Sequence, residues 1–210
     1  MRASIAATVL AAALGAAPAL AQEGTQTPPP AESSGTSGNT QFLIGERYMS
    51  DDAFWAPFDT QMMFGVEVDF APSKSPIHVA LAGSFSTDDA RVTTPFHGAT
   101  GDVRVGMAEF SAGFLWHPVK RGIVRPYLGG GAVLLGASID TDFGSFFGDS
   151  DTDTSFGFYG NAGVFFKVGE SFNIGIDGRA VRGTDLEFPG IEADGDYDQI
   201  AMLLGFSWGK

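Results

Sequence analysis

The stretch FNIGIDGR, residues 172–179, alternates between large apolar side chains and small or polar ones. Ile174 and Ile176 lie on one parity, and Asp177 and Arg179 lie on the other. Successive side chains of a β-strand point to opposite faces. The stretch therefore predicts a strand with one large apolar face and one small or charged face.

Four further stretches keep the same period of two. They are FGVEVDF (64–70), IHVALAGSF (77–85), FYGNAGV (158–164) and IAMLLGFSW (200–208). Extending this pattern along the chain predicts eight strands, several of them longer than the usual strand of about 5–6 residues. The predicted strands are 41–49, 61–71, 76–86, 103–117, 123–138, 155–168, 171–183 and 198–208.

The connections between these strands alternate in length. Short turns are expected at 72–75, 118–122 and 169–170. Long loops are expected at 50–60, 87–102, 139–154 and 184–197. Short turns at one end and long loops at the other describe an up-and-down meander, the arrangement typical of bacterial outer-membrane barrels.

Three stretches carry a family resemblance. RPYLGGGA (125–132) resembles a glycine-rich strand of OmpA-like outer-membrane β-barrels and related surface antigens, and residues 158–166 and 171–179 resemble the hairpin that follows it. The resemblance implies an all-β, eight-stranded antiparallel up-and-down transmembrane β-barrel in the outer membrane of a Gram-negative bacterium. In one departure, Trp208 lies two residues before the end, whereas such barrels usually end on an aromatic residue.

Alternation alone does not say which face of the strands is wet. In a soluble barrel the large apolar side chains point inward, whereas in a membrane barrel they point outward. Small residues opposite the large ones favour the membrane arrangement, because an eight-stranded lumen is narrow. Aromatic residues near the strand ends suit girdles at the two membrane interfaces. They are Tyr48, Phe70, Phe85, Trp116, Tyr127, Phe172 and Trp208.

The composition excludes several classes of function. The 210 residues include 25 acidic and 12 basic side chains, giving a formal charge of −13, and no cysteine. An acidic chain is a poor partner for nucleic acid, whose phosphates need Lys and Arg. The absence of cysteine excludes disulfides, thiol catalysis and cysteine zinc sites. The four long loops hold most of the acids, so we expect the negative charge at one end of the barrel.

The N-terminus predicts export. Arg2 precedes an apolar run, and Ala19 to Ala21 has the small-x-small form of a signal-peptidase site, so residues 1–21 are predicted to be a signal peptide cleaved after Ala21. Residues 22–40 are rich in Pro, Ser, Gly and Thr, which predicts a disordered periplasmic tail. Residues 41–210 are then the outer-membrane β-barrel domain.

Charged side chains on the small-residue face are the candidate site. Because a charge facing lipid is costly, we expect them to point into the lumen and to pair there. The expected pairs join Arg179 to one or more of the nearby carboxylates. The predicted luminal charge network comprises Glu67, Asp69, His78, Glu109, Lys167, Asp177 and Arg179.

No catalytic, cofactor-binding or metal-binding residues are predicted. None of the three histidines lies in the His-x-Ser pattern of outer-membrane lipid A deacylases. Asp149 to Thr154 resembles the start of a calcium loop but lacks its sixth-position glycine, so only loose divalent-cation association is expected at the acidic loops. The other expected partners are outer-membrane lipid, lipopolysaccharide and an unidentified extracellular molecule.

These observations predict a non-enzymatic outer-membrane barrel with acidic extracellular loops and a structural or surface-interaction role. Three alternatives stay open at this point. One is a narrow, porin-like pore that uses the luminal charges. Another is a soluble periplasmic lipocalin-like carrier with an apolar interior. The last is a lipid-modifying enzyme.

Overall fold

The computed structural model describes residues 35–72, 75–93, 100–119, 122–142, 148–188 and 191–209. Within these ranges no helix is long and apolar enough to cross a bilayer. The predicted signal peptide and positions 22–34 of the predicted tail lie outside the described residues.

The described chain consists of ten strands and one short helix. The barrel strands are β1 (Thr36–Met49), β2 (Thr60–Pro72), β3 (Ile77–Thr93), β4 (Thr100–Trp116), β5 (Val124–Asp142), β6 (Gly148–Val168), β7 (Phe172–Arg182) and β10 (Tyr197–Trp208). The helix α1 (Asp52–Trp55) follows β1, and a hairpin of β8 (Asp185–Phe188) and β9 (Ile191–Asp194) precedes β10.

Eight strands close into a barrel in the order β1-β10-β7-β6-β5-β4-β3-β2. All neighbouring strands are antiparallel, and β1 closes the ring against β10 from Gly38↔Trp208 to Met49↔Tyr197. The eight-stranded up-and-down prediction is confirmed. We call the end with the three short turns the turn end, and the end with the four longer connections the loop end.

The strand boundaries differ from the predicted ones mainly at the loop end. The β3–β4 ladder continues to Thr93↔Thr100 and the β5–β6 ladder to Asp142↔Gly148, so much of the loops predicted at 87–102 and 139–154 is strand. The outward face of these extensions is polar, as at Asp89, Arg91 and Asp140, so they lack the outward row of large apolar side chains that marks the rest of each strand. At the other end, β1 begins at Thr36, five residues earlier than predicted, within the predicted tail.

The outer wall of the barrel is apolar. Large exposed side chains form a band around it and include Phe42, Phe64, Phe114, Ile176 and Met202. This confirms the outward orientation of the large apolar face. It also makes the lipocalin-like alternative wrong, since that fold would place these side chains inside.

Most of the expected girdle residues lie on the outer wall, but Tyr127 does not. Tyr48, Phe85, Trp116 and Trp208 are exposed aromatic side chains. Tyr127 points inward and is 2% exposed, because its neighbour Leu128 occupies the outward parity of β5.

The lumen is packed rather than lined only by small residues. A cluster at the loop end includes Trp55, Leu135, Leu186, Phe188 and Tyr197. A second cluster, toward the turn end, contains Leu43, Met63, Ala80, Leu115, Tyr127, Phe165, Ala201 and Leu203. Polar side chains lie between the two clusters. On β4, Met107 belongs to the first and Leu115 to the second, with Glu109 and Ser111 between them.

Glycine is required where these large side chains meet the wall. A Cβ at Gly163 would overlap the ring of Tyr127, which lies opposite it in the β5–β6 ladder. The small residues thus make room for large neighbours inside a narrow barrel.

Introducing a charge in the middle of the apolar band tests whether this face of the strands contacts lipid. Met202 lies midway along β10 and is 62% exposed. We expect Met202→Arg to lower the free energy of unfolding by about 2–4 kcal/mol, because the arginine would face hydrocarbon. Reversible urea unfolding in lipid micelles measures this change. Glu192→Arg, at an exposed position of β9, introduces the same side chain and should change stability by less than about 0.5 kcal/mol. Equal effects of the two variants would contradict the placement of the band.

Candidate functional site in the barrel lumen

Glu109 is the centre of the luminal charge network. Its Oε1 accepts a hydrogen bond of 2.7 Å from Nη1 of Arg179, and its Oε2 accepts one of 3.1 Å from Nη2 of Arg47. Ser84 and Tyr197 donate to the same carboxylate. The side chain is almost wholly buried. A buried carboxylate needs such partners, because it has lost its water.

Arg179 joins this centre to a second glutamate. Its Nη2 donates to Oε2 of Glu67 at 3.1 Å, and its Nη1 also lies 3.3 Å from Oγ of Ser111. The guanidinium group lies over the ring of Tyr159, 4.5 Å from the ring centroid. The predicted pairing of Arg179 with luminal carboxylates corresponds to these contacts.

Arg47 was missing from the predicted network. It is fully buried, donates to the hydroxyls of Ser84 and Ser86, and lies 4.1 Å from the ring centroid of Tyr197. The parity of β1 carries the signal for it, because Phe42, Ile44 and Tyr48 point outward and Arg47 is on the other parity.

The network crosses the lumen. Glu109 on β4 and Tyr197 on β10 belong to strands four places apart in the eight-stranded ring, and thus on opposite walls. The two arginines come from β1 and β7, and Glu67 comes from β2. Because the side chains bond to one another across the centre, they occupy the cross-section that a permeating ion would need.

Asp177 belongs to a neighbouring group rather than to the arginine contacts. Its Oδ2 accepts hydrogen bonds from the hydroxyl of Tyr127 at 2.5 Å and from Nδ2 of Asn161 at 3.1 Å. Tyr127 therefore faces the lumen and contacts Asp177, whereas the sequence pattern had placed it among the aromatic residues at the membrane interfaces.

Asp69 and His78 form a third group, near the turn end. Nδ1 of His78 lies 2.6 Å from Oδ1 of Asp69, and Asn39 and Gln41 donate to the same carboxylate. The ring of His117 lies beside that of His78, with 4.5 Å between centroids. The predicted charges therefore fall into three groups. Lys167 lies apart from them, half-buried opposite Asn173 in the β6–β7 ladder.

The connections at the loop end cover the lumen. Trp55 of α1 and Phe58 pack with Leu186 and Phe188 of β8 inside the barrel mouth. The indole N–H of Trp55 donates to the carbonyl of Asp194 at 2.7 Å, which ties the first long connection to the last. No alternation marks these residues, so the pattern that predicts strands did not find them.

The outer surface of the loop end is acidic. We call its exposed carboxylates the acidic rim, which comprises Asp52, Asp89, Asp102, Asp140, Asp142, Asp185, Glu187, Glu192, Asp194 and Asp198. Three exposed arginines lie among them: Arg91 pairs with Asp102 and Arg182 with Asp198, and the third is Arg104. The rim therefore carries a clear excess of negative charge.

The segment that resembled a calcium loop is part of a strand. Asp151 and Asp153 lie in the β6 extension above the apolar band, opposite Ile139 and Ala137. The backbone N–H of Glu187 donates to Asp153 at 2.7 Å, and this bond with that from Thr154 lowers the pKa of the Asp153 carboxyl. Asp153 therefore anchors the β8–β9 hairpin to the barrel wall.

Removing the central carboxylate tests the network. Glu109→Gln keeps the shape of the side chain but leaves Arg47 and Arg179 with less compensating charge. We expect it to lower the free energy of unfolding by about 3–5 kcal/mol, the range for breaking a buried ion pair. Urea unfolding in micelles measures the loss. Glu170→Gln, at an exposed turn, is the matched control and should be near neutral. A loss for Glu109→Gln no greater than that of the control would contradict the proposed role of the network.

Comparison with known proteins shows which barrels this structure resembles. No curated protein sequence matches the chain. The outer membrane protein OprG of Pseudomonas aeruginosa is similar in structure, with a TM-score of 0.57, 11% identity, and 83% of this chain and 96% of that one covered. A major outer membrane protein of Thermus thermophilus has a TM-score of 0.56 and 11% identity, with 82% of this chain and 99% of that one covered.

A third similar structure is Ail, the attachment invasion locus protein of Yersinia pestis, solved in complex with the heparin analogue sucrose octasulfate. It has a TM-score of 0.52 and 13% identity, with 83% of this chain and 98% of that one covered. These likenesses agree with a closed, apolar-walled barrel. The outer membrane protein β-barrel domain family matches residues 7–209, nearly the whole chain. The chain therefore belongs to this family of bacterial outer-membrane β-barrels.

Proposed function

We propose that this protein is a non-enzymatic outer-membrane barrel that acts through a surface interaction at its loop end. The observation that carries the proposal is the packed lumen, closed by Trp55, Phe58, Leu186 and Phe188 beneath an acidic rim. A filled barrel leaves its outer surface as the part available to a partner. The role is then structural in the membrane and adhesive or antigenic at the surface.

The narrow-pore alternative is less well supported by the luminal contacts. Glu109 is held by both arginines, and Arg179 is also held by Glu67. An ion path through this layer would require these pairs to separate, leaving buried charges unpaired. An ion would also require Trp55 and the residues packed with it inside the barrel mouth to move aside.

The luminal serines do not support a hydrolytic role. A serine nucleophile needs a base within hydrogen-bond reach. Ser84 and Ser86 contact Arg47, and Ser111 contacts Arg179. Ser84 also donates to Glu109, but the two arginines that pair with that carboxylate stabilise its charge and make it a poor base. Arginine stays protonated and does not act as a base.

The acidic rim points to a cationic partner. Ail was solved with a sulfated ligand, but a sulfated polyanion would be repelled by the excess carboxylates of this rim. We infer that the extracellular partner is a basic peptide segment or a cationic surface. Divalent cations would bind loosely at the rim and bridge its carboxylates to lipopolysaccharide phosphates.

Binding of a basic peptide tests this proposal. Full-length protein in vesicles of neutral phosphatidylcholine should bind polylysine, with an affinity that falls as salt rises. The triple variant Asp185→Asn, Glu187→Gln, Glu192→Gln should bind about tenfold more weakly, since each exposed pair contributes about 0.2–1 kcal/mol.

Arg91→Gln is the control, because it removes a positive charge from the rim rather than a negative one. It should not weaken the binding of polylysine. Sucrose octasulfate should not bind the parent vesicles. Polylysine binding that the triple variant leaves unchanged, or tighter binding of sucrose octasulfate than of polylysine, would contradict the proposal.

We also propose that residues 1–21 are removed on export and that a tail from Gln22 precedes β1 in the periplasm. The support is the order of Arg2, the apolar run and Ala19 to Ala21. The intact mass of the protein purified from outer membranes should correspond to a chain starting at Gln22.

A further inference from the structure

We propose that Asp69, His78 and His117 bind one divalent metal ion of the zinc class at the turn end of the lumen. Each residue offers one ligand atom, and the three atoms lie within 4.8 Å of one another. Two imidazole nitrogens and one carboxylate oxygen are a donor set that suits zinc. This site is separate from the arginine–glutamate network and from the acidic rim.

The barrel topology brings the three residues together. Asp69 lies near the turn end of β2, His78 near the start of the adjoining β3, and His117 just after β4. The backbone N–H of His117 donates to the carbonyl of Pro76 at 2.8 Å, which fixes its position next to β3. Asp69 and His78 are on the inward parity of their strands, and the buried His117 continues the inward parity of β4.

The carboxylate of Asp69 is oriented by hydrogen bonds from neighbouring side chains that are not themselves proposed ligands. Nδ2 of Asn39 lies 3.0 Å from both oxygens of Asp69, and Nε2 of Gln41 lies 3.2 Å from Oδ2. Metal-binding carboxylates are commonly oriented by such hydrogen bonds, and losing one reduces metal affinity. Asp69 itself is fully buried, so its charge needs compensation inside the barrel.

Aromatic packing positions the second imidazole. The ring of His117 lies 5.8 Å from that of Tyr127 and 6.3 Å from that of Phe165, centroid to centroid. Its centroid also lies 4.5 Å from that of His78. The ring therefore has a fixed place beside Asp69 and His78.

The charge balance of the lumen favours a cation here. Among the residues that the structure describes, Glu67, Asp69, Glu109 and Asp177 are buried carboxylates, whereas the buried arginines are Arg47 and Arg179. Both arginines are engaged by the two glutamates. A divalent ion beside Asp69 would compensate charge that the arginines do not reach.

Zinc binding needs a small rearrangement of the ligand atoms. Zinc–nitrogen bonds of about 2.0–2.1 Å place tetrahedral ligand atoms about 3.3 Å apart. The three ligand atoms now lie within 4.8 Å of one another, and the 2.6 Å contact between Nδ1 of His78 and Oδ1 of Asp69 would open to admit the ion. Calcium is the wrong ion for this set, because it takes six to eight oxygen ligands. The His78 side chain is 12% exposed, so the group is not wholly sealed from solvent.

Zinc binding by full-length, untagged protein in detergent micelles tests the proposal. Equilibrium dialysis in excess calcium, which saturates the acidic rim, should give one zinc ion per chain. Replacing zinc with cobalt should give the visible absorption bands of a nitrogen-ligated Co²⁺ ion in the parent protein. That spectrum does not depend on any variant folding.

His117→Phe is the most informative variant, because phenylalanine keeps the packing against Tyr127 and Phe165. It should abolish the stoichiometric zinc and the cobalt bands. Asn39→Ala should weaken zinc binding by about 10–100-fold. His97→Phe is the matched control, since it removes the chain's remaining histidine, and it should bind zinc as the parent does.

Three results would overturn the proposal. They are absence of bound zinc at micromolar concentration, zinc retained by a folded His117→Phe protein, and displacement of zinc by calcium. Heat-modifiable gel mobility reports whether each variant is folded.

Discussion

Closure of the sheet is the constraint on which the rest of this structure depends. Lipid offers no hydrogen-bond partners, so every backbone N–H and C=O in the membrane must be paired within the protein. The β1–β10 ladder, from Gly38↔Trp208 to Met49↔Tyr197, removes the two edges that an open sheet of these strands would have. Closure also fixes which side chains point outward and which must fit inside a narrow lumen.

The enclosed charges follow from that geometry. An inward parity that carries Glu67, Glu109 and Arg179 brings these side chains together, because the lumen is too narrow to keep them apart. Apolar clusters on both sides of this layer exclude water from it. The interior is therefore a packed core with a polar centre.

The alternation of side chains predicts more of this protein than its composition does. It predicts all eight barrel strands and the inward position of Glu67, Asp69, Asp177 and Arg179. Two kinds of feature escape it. Strand extensions above the membrane, such as the one ending at Thr93, lack the outward row of large apolar side chains, and capping residues such as Trp55 come from connections without a period. The partners of a luminal charge depend on the ring order of the strands, so the sequence did not indicate that Tyr197 would reach Glu109.

Thiol labelling shows whether the lumen is filled at the level of Glu109. The chain has no cysteine, so a single introduced thiol is the only reactive one. Ser111 is 1% exposed and contacts Arg179, whereas Thr152 is exposed on the β6 extension. Ser111→Cys in folded protein should resist a small charged thiol reagent that modifies Thr152→Cys rapidly, and should react only after unfolding. Equally rapid modification of both cysteines in the folded barrel would show a water-filled lumen and contradict the account.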